Sequence, residues 1–460
     1  MKLKKDTIQQ IFCVLMFLSA FIFIKPKVSF TNSGEITFYL VEIFGLITAA
    51  FLFFYIIKNY NTLLKQQRLL FWTTLVSQMA FVFIFIGRAL LQGPELKSIL
   101  IIESNLFVVG FFLLIVFRLL SAKVVMKTLS YFCAGLGIFS VISMFLFPVT
   151  YTDWVIFRIP SFYMLSFGNA IRTYLLLFSL PISALYYVRS EKRGAAISFY
   201  IHLSSTIICG MVSGARVNYL CIPVAIFVLA LLLWRFSKNK KMTRPLITLG
   251  VSALSVVLVF VFSLFSMLVY TQLLRLDVTA SVIDTLGIEY IGDKLGAGQF
   301  FDPEKGGFDK NDPNQSLEEH KNQAEHSAAE SSSSRSHIWK LAIKDILSSP
   351  LTGVGLKQYN FQFSNGTTLP LQPHNFVIEY LLGFGLIGFV LWLVMMAAPE
   401  FLMLLKVKGK FWNSAPLCFC LCSLAFACAG ALFQPYFIYP CVMFFLFTLM
   451  GTFYSISELE

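Results

Sequence analysis

Long apolar runs divide this chain from near its first residue to near its last. Most of them reach the ~20 residues that a helix needs to cross about 30 Å of hydrocarbon. Hydrophobic residues make up 57% of the chain, which is more than a soluble domain shields from water. The runs therefore predict an all-α integral membrane fold with about twelve transmembrane helices. Their expected positions are 8–24, 36–57, 69–87, 99–117, 128–148, 170–188, 196–212, 217–234, 245–270, 375–404, 411–431 and 436–454.

The basic residues indicate how these helices are oriented. The chain has a formal net charge of +12, and 20 of its 36 lysine and arginine residues fall in the segments predicted to face the cytoplasm. This is the positive-inside pattern of membrane proteins, so both termini are expected in the cytoplasm. This distribution explains the positive net charge, so the charge does not indicate a nucleic-acid partner. All nine cysteines lie in apolar runs, which argues against a disulfide framework and against a thiolate metal site.

The predicted helices are organised around one large extracytoplasmic loop. Residues 1–270 are expected to hold the first nine transmembrane helices, and residues 375–460 the last three. In the loop between them, 271–374, the stretch 302–334 has few large apolar residues and is expected to be mobile. Residues 336–348 then show the periodicity of an amphipathic helix. This helix is too short to span, so we expect it on the outer membrane surface or packed on the bundle.

Three polar residues are expected together at the outer face. They are Arg216 in a short turn, Arg335 at the start of the amphipathic helix, and His374 where the loop re-enters the membrane. Guanidinium groups bind phosphate in bidentate fashion, so the pair of arginines suits an anionic substrate. Asn375 is expected to cap the tenth span. The positive end of that helix would attract a diphosphate and keep His374 neutral and able to accept a proton.

Each of these residues also has an ordinary structural interpretation. An arginine at a helix end, such as Arg216, is usually an interfacial anchor, and Arg335 alone would be a solvated charge. A histidine beside a helix N-terminus, such as His374, is most often structural. The residues by themselves predict a membrane protein with a basic outer site, and they leave open whether that site transports or catalyses.

The order and spacing of several motifs resemble a known family. In chain order the motifs are SGAR at 213–216, Arg335-x-x-x-Trp339, PLTGVG at 350–355, PHNF at 373–376 and GFGLIG at 383–388. Together they resemble the shared C-terminal region of O-antigen ligases and O-antigen polymerases. The first 190 or so residues resemble that family only in having several hydrophobic spans.

The resemblance implies a metal-independent membrane glycosyltransferase without a cofactor, acting on the outer face of the bacterial inner membrane. It implies that Arg216 and Arg335 hold the undecaprenyl diphosphate of a lipid-linked oligosaccharide donor, and that His374 deprotonates the acceptor hydroxyl. Glu379 either orients the site or, as the commoner case, is a partly buried structural carboxylate. The further candidate substrate-binding residues are Arg88, Arg172 and Asn375.

The leading hypothesis is a polymerase that joins undecaprenyl-diphosphate-linked repeat units into O-antigen, capsular polysaccharide or exopolysaccharide. Polymerases are favoured because they are the more numerous and sequence-diverse members of the family. The alternative is the ligase that transfers O-antigen to the lipid A core of lipopolysaccharide. A lipid-linked oligosaccharide flippase or other transporter is disfavoured, because no internal repeat is visible and the candidate residues lie on one face. Expected partners are the donor, a glycan acceptor, the membrane, and the chain-length regulator and flippase proteins.

Overall fold

The structure is a computed structural model, and its described residues fall into several ranges. They are 5–20, 23–24, 38–92, 110–146, 149–151, 154–156, 169–190, 192–212, 216–237, 242–269, 335–362, 368–408, 410–432, 437 and 440–459. The stretch 302–334, predicted to be mobile, lies outside the described residues, as does the rest of the large loop before residue 335. The first part of the fourth predicted span, 99–109, lies outside them too.

Helices dominate the described ranges. They are α1 (Lys5–Ser19), α2 (Leu40–Asn59), α3 (Lys65–Gln92), α4 (110–116), α5 (Ala122–Leu146), α6 (Asn169–Arg189), α7 (Arg193–Val212), α8 (Arg216–Phe236), α9 (Thr243–Val269), α10 (335–348), α11 (Phe376–Lys406), α12 (Ala415–Ala431) and α13 (Pro440–Ser457). Three small antiparallel hairpins accompany them. Their strands are β1 (Phe23–Ile24), β2 (Phe38–Tyr39), β3 (Val149–Tyr151), β4 (Trp154–Ile156), β5 (Tyr359–Gln362) and β6 (Thr368–Leu371), paired in that order.

Five of the described helices are long and apolar enough to cross a membrane, namely α3, α5, α7, α9 and α11. Shorter apolar stretches lie in α8, α12 and α13. The described residues thus form an all-α membrane protein, and they do not establish the predicted number of twelve spans. Helices α7 and α8 are separate, as expected from two short spans in place of one long span.

The first helix is shorter than its apolar run. The run covers 8–24, but α1 ends at Ser19, and Phe23–Ile24 pairs as a strand with Phe38–Tyr39. At about 1.5 Å per residue, α1 is about 22 Å long, which is less than the hydrocarbon thickness. Hydrophobicity alone therefore misplaced the end of this helix. Pro26 follows closely, and the residue before a proline favours extended backbone.

Side-chain contacts define one end of the helix bundle, which we call the basic end. Nη2 of Arg235, at the end of α8, donates to Oδ1 of Asn413, just before α12 (3.1 Å). Nε2 of Gln67, near the start of α3, donates to the carbonyl oxygen of Val116, at the end of α4 (3.0 Å). The helix ends that carry basic residues here include Lys65, Arg189, Arg193, Arg244 and Lys406.

Helix α11 is interrupted at Gly385, whose φ of 64° and ψ of −168° are not helical. The interruption separates 376–384 from 386–406. The second part is about 31 Å long, which matches the thickness of the hydrocarbon layer. It ends at the basic end, where Nζ of Lys406 lies 3.8 Å from Oε1 of Glu458. The first part of α11 therefore lies at the opposite end of the bundle, which we call the distal end.

Helix α10 and the hairpin β5–β6 pack against the distal part of α11. Ile338 and Ala342 of α10 are buried together with Tyr359 of β5 and Leu382 of α11. On another side of α10, Leu347 is 71% exposed. Helix α10 is thus packed on the bundle, and its apolar residues lie on two sides.

Asp345 joins α10 to the hairpin. Its Oδ2 accepts hydrogen bonds from the hydroxyl group of Tyr359 (3.0 Å) and from Nζ of Lys357 (3.2 Å). Burial, followed by the hydrogen bond and charge of Asp345, raises the pKa of Tyr359. The tyrosine therefore stays protonated and keeps donating to Asp345.

Candidate functional site

His374 lies in a strained turn immediately before α11. Its φ is 51°, a left-handed conformation that costs a residue other than glycine about 1–3 kcal/mol. Hydrogen bonds on both sides hold this turn. The carbonyl oxygen of Pro373 accepts from Nε1 of Trp339 (2.7 Å). Oδ1 of Asn375 caps α11 by accepting from two backbone N–H groups of its first turn (3.0 and 3.2 Å).

Asn375 also ties the start of α11 to the end of α12. Its Nδ2 donates to the carbonyl oxygen of Leu432 (2.9 Å). Helices α8 and α12 run antiparallel, because Arg235 at the end of α8 bonds to Asn413 just before α12 begins. The first residue of α8, Arg216, therefore has its backbone at the same end of the bundle as Asn375.

The side of α10 that carries Arg335 is directed toward the histidine turn. Arg335 and Trp339 are four residues apart, so their side chains leave the helix on the same side. Because Trp339 bonds to Pro373, this side of α10 lies next to His374. Arg335 is half-buried and forms no ion pair with any other described residue. Its predicted role in binding an anion stays a prediction.

A glycine-containing loop holds α10 against α11. The backbone N–H groups of Val354 and Gly355 donate to the carbonyl oxygen of Leu382 (2.8 and 2.9 Å). In return, the N–H group of Leu386 donates to the carbonyl oxygen of Pro350 (2.8 Å). We call this set of backbone bonds the clamp. It fixes the position of α10 relative to the helix that follows the histidine turn.

Two further arginines, predicted as phosphate ligands, have their backbones at the distal end. Arg172 lies in the first turn of α6, and the hydroxyl group of the next residue donates to the carbonyl oxygen of Cys209, near the end of α7 (3.3 Å). Arg88 lies about two turns beyond Phe81 in α3. The ring of Phe81 packs on that of Phe384 in the distal part of α11, with 4.8 Å between the ring centroids.

Glu379 is a further titratable group beside the turn. It lies in the first turn of α11 and is 2% exposed. Neither of its carboxylate oxygens has a hydrogen-bond partner among the described residues. The backbone N–H group of His374 interacts electrostatically with the carboxyl group, although the geometry falls short of a hydrogen bond. The signal in the sequence is an acidic residue in the first turn of a long apolar helix, which is uncommon in membrane segments.

The bond from Trp339 to Pro373 holds the first turn of α10, which begins at Arg335, against the turn that contains His374 and Asn375. The three other candidate arginines are placed at the same end by their backbones, and their roles stay predictions. Trp339, which the sequence singled out only as part of a motif, joins α10 to this turn. Across the described ranges, no group of three or more His, Cys, Asp or Glu residues is arranged to hold a metal ion.

The part of the chain that forms this site matches a known protein family. The family described as O-antigen ligase matches residues 201–393. The match supports the resemblance of this region to the O-antigen ligase and polymerase superfamily. None of the curated proteins compared with the chain matches it.

The O-antigen ligase match begins in α7 and ends in α11. It therefore contains Arg216, Arg335 and His374, together with the clamp and the capped start of α11. Arg88 and Arg172 lie before the matched region. Similarity of this region to a family of membrane enzymes favours catalysis over transport at the histidine turn.

Proposed function

We propose that this protein polymerises undecaprenyl-diphosphate-linked oligosaccharide repeat units into O-antigen, capsular polysaccharide or exopolysaccharide. The observation that supports the proposal is the bond from Trp339 to Pro373, because Trp339 lies one helical turn from Arg335 and Pro373 directly precedes His374, all within the region that matches the O-antigen ligase family. A guanidinium group next to an imidazole suits a reaction in which a diphosphate leaves and a hydroxyl group loses a proton.

In the proposed reaction, a hydroxyl group of the acceptor sugar attacks the anomeric carbon of the donor. His374 takes the hydroxyl proton while the new carbon–oxygen bond forms and the bond from the carbon to the diphosphate oxygen breaks. Arg335 and Arg216 stabilise the negative charge that develops on the leaving undecaprenyl diphosphate. The imidazolium then releases its proton to water. The step needs neither a metal ion nor a nucleotide sugar, because the donor already carries its leaving group.

We place the basic end of the bundle in the cytoplasm and the distal end on the outer face of the bacterial inner membrane. The support is the concentration of Lys and Arg at the basic end, which favours the cytoplasmic side. The last residue of α13, Ser457, lies at the basic end, where Nζ of Lys406 donates to its carbonyl oxygen. The first part of α1 lies toward the same end, because Nε2 of Gln9 donates to the carbonyl oxygen of Leu119, between α4 and α5 (3.3 Å). Chain-length regulator and flippase proteins are the proposed partners on this membrane.

The second candidate is the ligase reaction, in which O-antigen is transferred from the same lipid carrier to the lipid A core. The description of the matching family as O-antigen ligase favours this candidate. The donor and its leaving diphosphate are the same in both reactions, so the histidine turn serves either of them. The acceptor distinguishes the two.

The test is the surface polysaccharide of a deletion strain complemented with wild type, Arg216→Ala, Arg335→Ala or His374→Ala. The amount of each protein in the membrane is measured in parallel. Two matched controls are Arg193→Ala, an exposed arginine at the basic end, and His337→Ala, an exposed histidine on α10. We expect the polysaccharide ladder to be lost in the three site variants and retained in both controls.

The material that remains separates the two reactions. A single repeat unit on the core, without longer chains, supports the polymerase. Long lipid-linked chains that never reach the core would instead show that the protein is the ligase. If all three site variants restore the ladder, the catalytic proposal is wrong. The next measurement would then be translocation of a lipid-linked sugar by the protein in proteoliposomes.

A further inference from the structure

A groove lies between α1 and α5 near the basic end of the bundle. It encloses a cavity of about 330 Å³. The lining residues are Gln10 and Val14 of α1 and Lys127, Thr128, Tyr131 and Phe132 of α5. Gln9, the neighbour of Gln10 in the chain, bonds to the carbonyl oxygen of Leu119 just before α5, which fixes the level of the groove. The groove therefore lies at the opposite end from the histidine turn and is separate from the candidate site.

Polar residues of the groove lie nearer the basic end than its apolar residues. Gln10 is five residues from the start of α1, and Lys127 is five residues from the start of α5. At 1.5 Å per residue both lie about 8 Å from the helix ends, which is close to the thickness of a headgroup layer. Farther in, the ring of Phe132 packs on that of Phe17 of α1, with 5.3 Å between the centroids. The groove thus has a polar outer part and an apolar inner part, as a phospholipid has.

Two lysines give the outer part of the groove a positive charge. Lys123 precedes Lys127 by one helical turn, so both side chains leave α5 on the same side, and both are exposed. Neither lysine forms an ion pair with another described residue. Asp6 lies one turn before Gln10 on α1, and its single negative charge leaves the two lysines in excess. Basic pockets between membrane helices on the cytoplasmic side suit anionic head groups.

Thr128 supplies an independent observation. It lines the groove and is 7% exposed, and its Oγ1 has no hydrogen-bond partner among the described residues. A buried hydroxyl group without a partner is costly, and most such groups have one. Ser130, two residues farther along α5, bonds to the hydroxyl group of Ser198 (2.9 Å). An oxygen atom of a ligand in the groove would supply the acceptor that Thr128 lacks.

We propose that this groove binds an anionic phospholipid from the leaflet at the basic end. Lys127 and Lys123 bind the phosphate of the head group, and Thr128 donates to one of the phosphate or ester oxygens. The acyl chains lie against Val14 and Phe132, which give a free anion nothing to bind. The lipid fills the space between α1 and α5 and stabilises the contact of α1 with the bundle. Its binding involves no residue of the proposed reaction.

The test measures the melting temperature of the purified full-length protein in detergent while dioctanoyl phosphatidylglycerol is added. A ligand that binds the folded state raises the melting temperature, and the dependence on concentration gives an apparent Kd. We expect a saturable rise. Dioctanoyl phosphatidylcholine, which has no net charge, should bind about tenfold more weakly, and inorganic phosphate at the same concentration should cause no rise.

Two substitutions in the groove test the assigned contacts. Lys127→Gln should raise the Kd for phosphatidylglycerol about fivefold, because it removes one positive charge near the head group. Thr128→Val keeps nearly the same shape and removes the hydroxyl group, and it should also raise the Kd about fivefold. Without lipid, Thr128→Val should melt at the wild-type temperature or above it, because the hydroxyl group has no partner to lose.

Lys65→Gln is the matched control, because it removes an exposed lysine at the basic end that does not line the groove. It should leave the Kd unchanged. Equal effects of Lys65→Gln and Lys127→Gln would overturn the proposal, since the lipid would then respond only to the overall surface charge. An equal rise with phosphatidylcholine or with inorganic phosphate would overturn it as well. Should Thr128→Val fail to fold, the exposed Lys127 decides, since an unchanged Kd in Lys127→Gln contradicts the proposal.

Discussion

Replacing Gly385 by alanine tests whether α10 has to be held against α11 for activity. Gly385 has a φ of 64° and a ψ of −168°, a backbone conformation that is essentially restricted to glycine. A Cβ atom at this position would lie 2.3 Å from the carbonyl carbon and oxygen of Leu351 and 2.4 Å from the backbone nitrogen of Thr352. These are backbone atoms, so no change of rotamer relieves the contact.

The expected cost of Gly385→Ala has two parts. Backbone strain at such a position costs about 1–3 kcal/mol. To relieve the contact, the loop has to move away and lose the bonds from the N–H groups of Leu386 and Ile387 to the carbonyl oxygens of Pro350 and Leu351. Each of these bonds contributes about 1 kcal/mol. The substitution is therefore expected to weaken the clamp by about 3–5 kcal/mol, which is a large fraction of the stability of a folded domain.

Hydrogen–deuterium exchange of the purified protein measures the clamp directly. A factor of ten corresponds to about 1.4 kcal/mol, so protection of the amides of Leu386 and Ile387 should fall by about a hundredfold or more. The polysaccharide ladder should shorten or disappear although Arg335 and His374 are unchanged. Gly250→Ala is the matched control, because a Cβ atom there meets nothing within 4 Å and alanine favours the helix.

Two results would refute this reasoning. Unchanged amide protection in Gly385→Ala, together with a normal ladder, would mean that the loop accommodates the methyl group without separating from α11. Loss of the ladder in both Gly385→Ala and Gly250→Ala would mean that any change in a membrane helix disturbs the protein. The clamp would then not be the cause.

Three further substitutions test single contacts. Trp339→Phe removes the N–H group that donates to Pro373, and should cost about 1 kcal/mol and lower kcat/KM about fivefold in assays of the purified protein. Asn375→Ala removes the cap of α11 and the bond to Leu432, and should lower the melting temperature in detergent through a loss of about 2 kcal/mol. A photoreactive amino acid in place of Leu347 should cross-link to lipid. Leu347 is exposed, and the loop that follows it is bonded to Leu386, where the membrane-length part of α11 begins, so this position is expected at the depth of the lipid.

Each of these substitutions has a control. Trp72→Phe removes an exposed indole N–H group that bonds to the hydroxyl of Tyr60 (3.1 Å), and should leave kcat/KM unchanged. Asn375→Asp keeps a capping oxygen and loses only the donor, so its melting temperature should be intermediate. A photoreactive residue at the buried Ile338 should cross-link to protein. Lipid cross-links from that position, or equal kinetic effects of the two tryptophan substitutions, would contradict these expectations.

Helix positions could be predicted where a local hydrophobic pattern determines them. The separation of α7 from α8 was expected from a small, polar and basic turn in an otherwise apolar run. The interruption at Gly385 could not be predicted, because the GFGLIG motif contains three glycines and only this one has a positive φ. Gly385 differs from the others through the close approach of Leu351 and Thr352, which lie far earlier in the chain. Such a long-range contact leaves no local pattern.

For the site, the sequence predicted residue types and a common face, but not the contacts between them. Span lengths and basic loops are local properties, and they placed Arg335 and His374 on the same side. The contact between α10 and the histidine turn depends on a tertiary bond between Trp339 and Pro373, which are 34 positions apart. For Glu379 the sequence favours a partly buried structural carboxylate. The burial of this carboxyl group without a hydrogen-bond partner among the described residues depends on packing, so it could not be predicted from the residue and its neighbours in the chain.

Apart from the Asn375 cap, the bonds that hold the histidine turn and α10 in place end on backbone carbonyl groups. Trp339 donates to Pro373, Asn375 donates to Leu432, and the clamp donates to a carbonyl group of α11. None of these bonds uses the guanidinium group of Arg335, so scaffold and charge are separable by substitution. Removing the charge of Arg335 should leave the melting temperature unchanged and abolish turnover. Removing a scaffold donor such as that of Asn375 should lower both the melting temperature and turnover. A fall in the melting temperature of Arg335→Ala as large as that of Asn375→Ala would show that the arginine belongs to the scaffold, because an anion-binding group has no partner to lose before the substrate arrives.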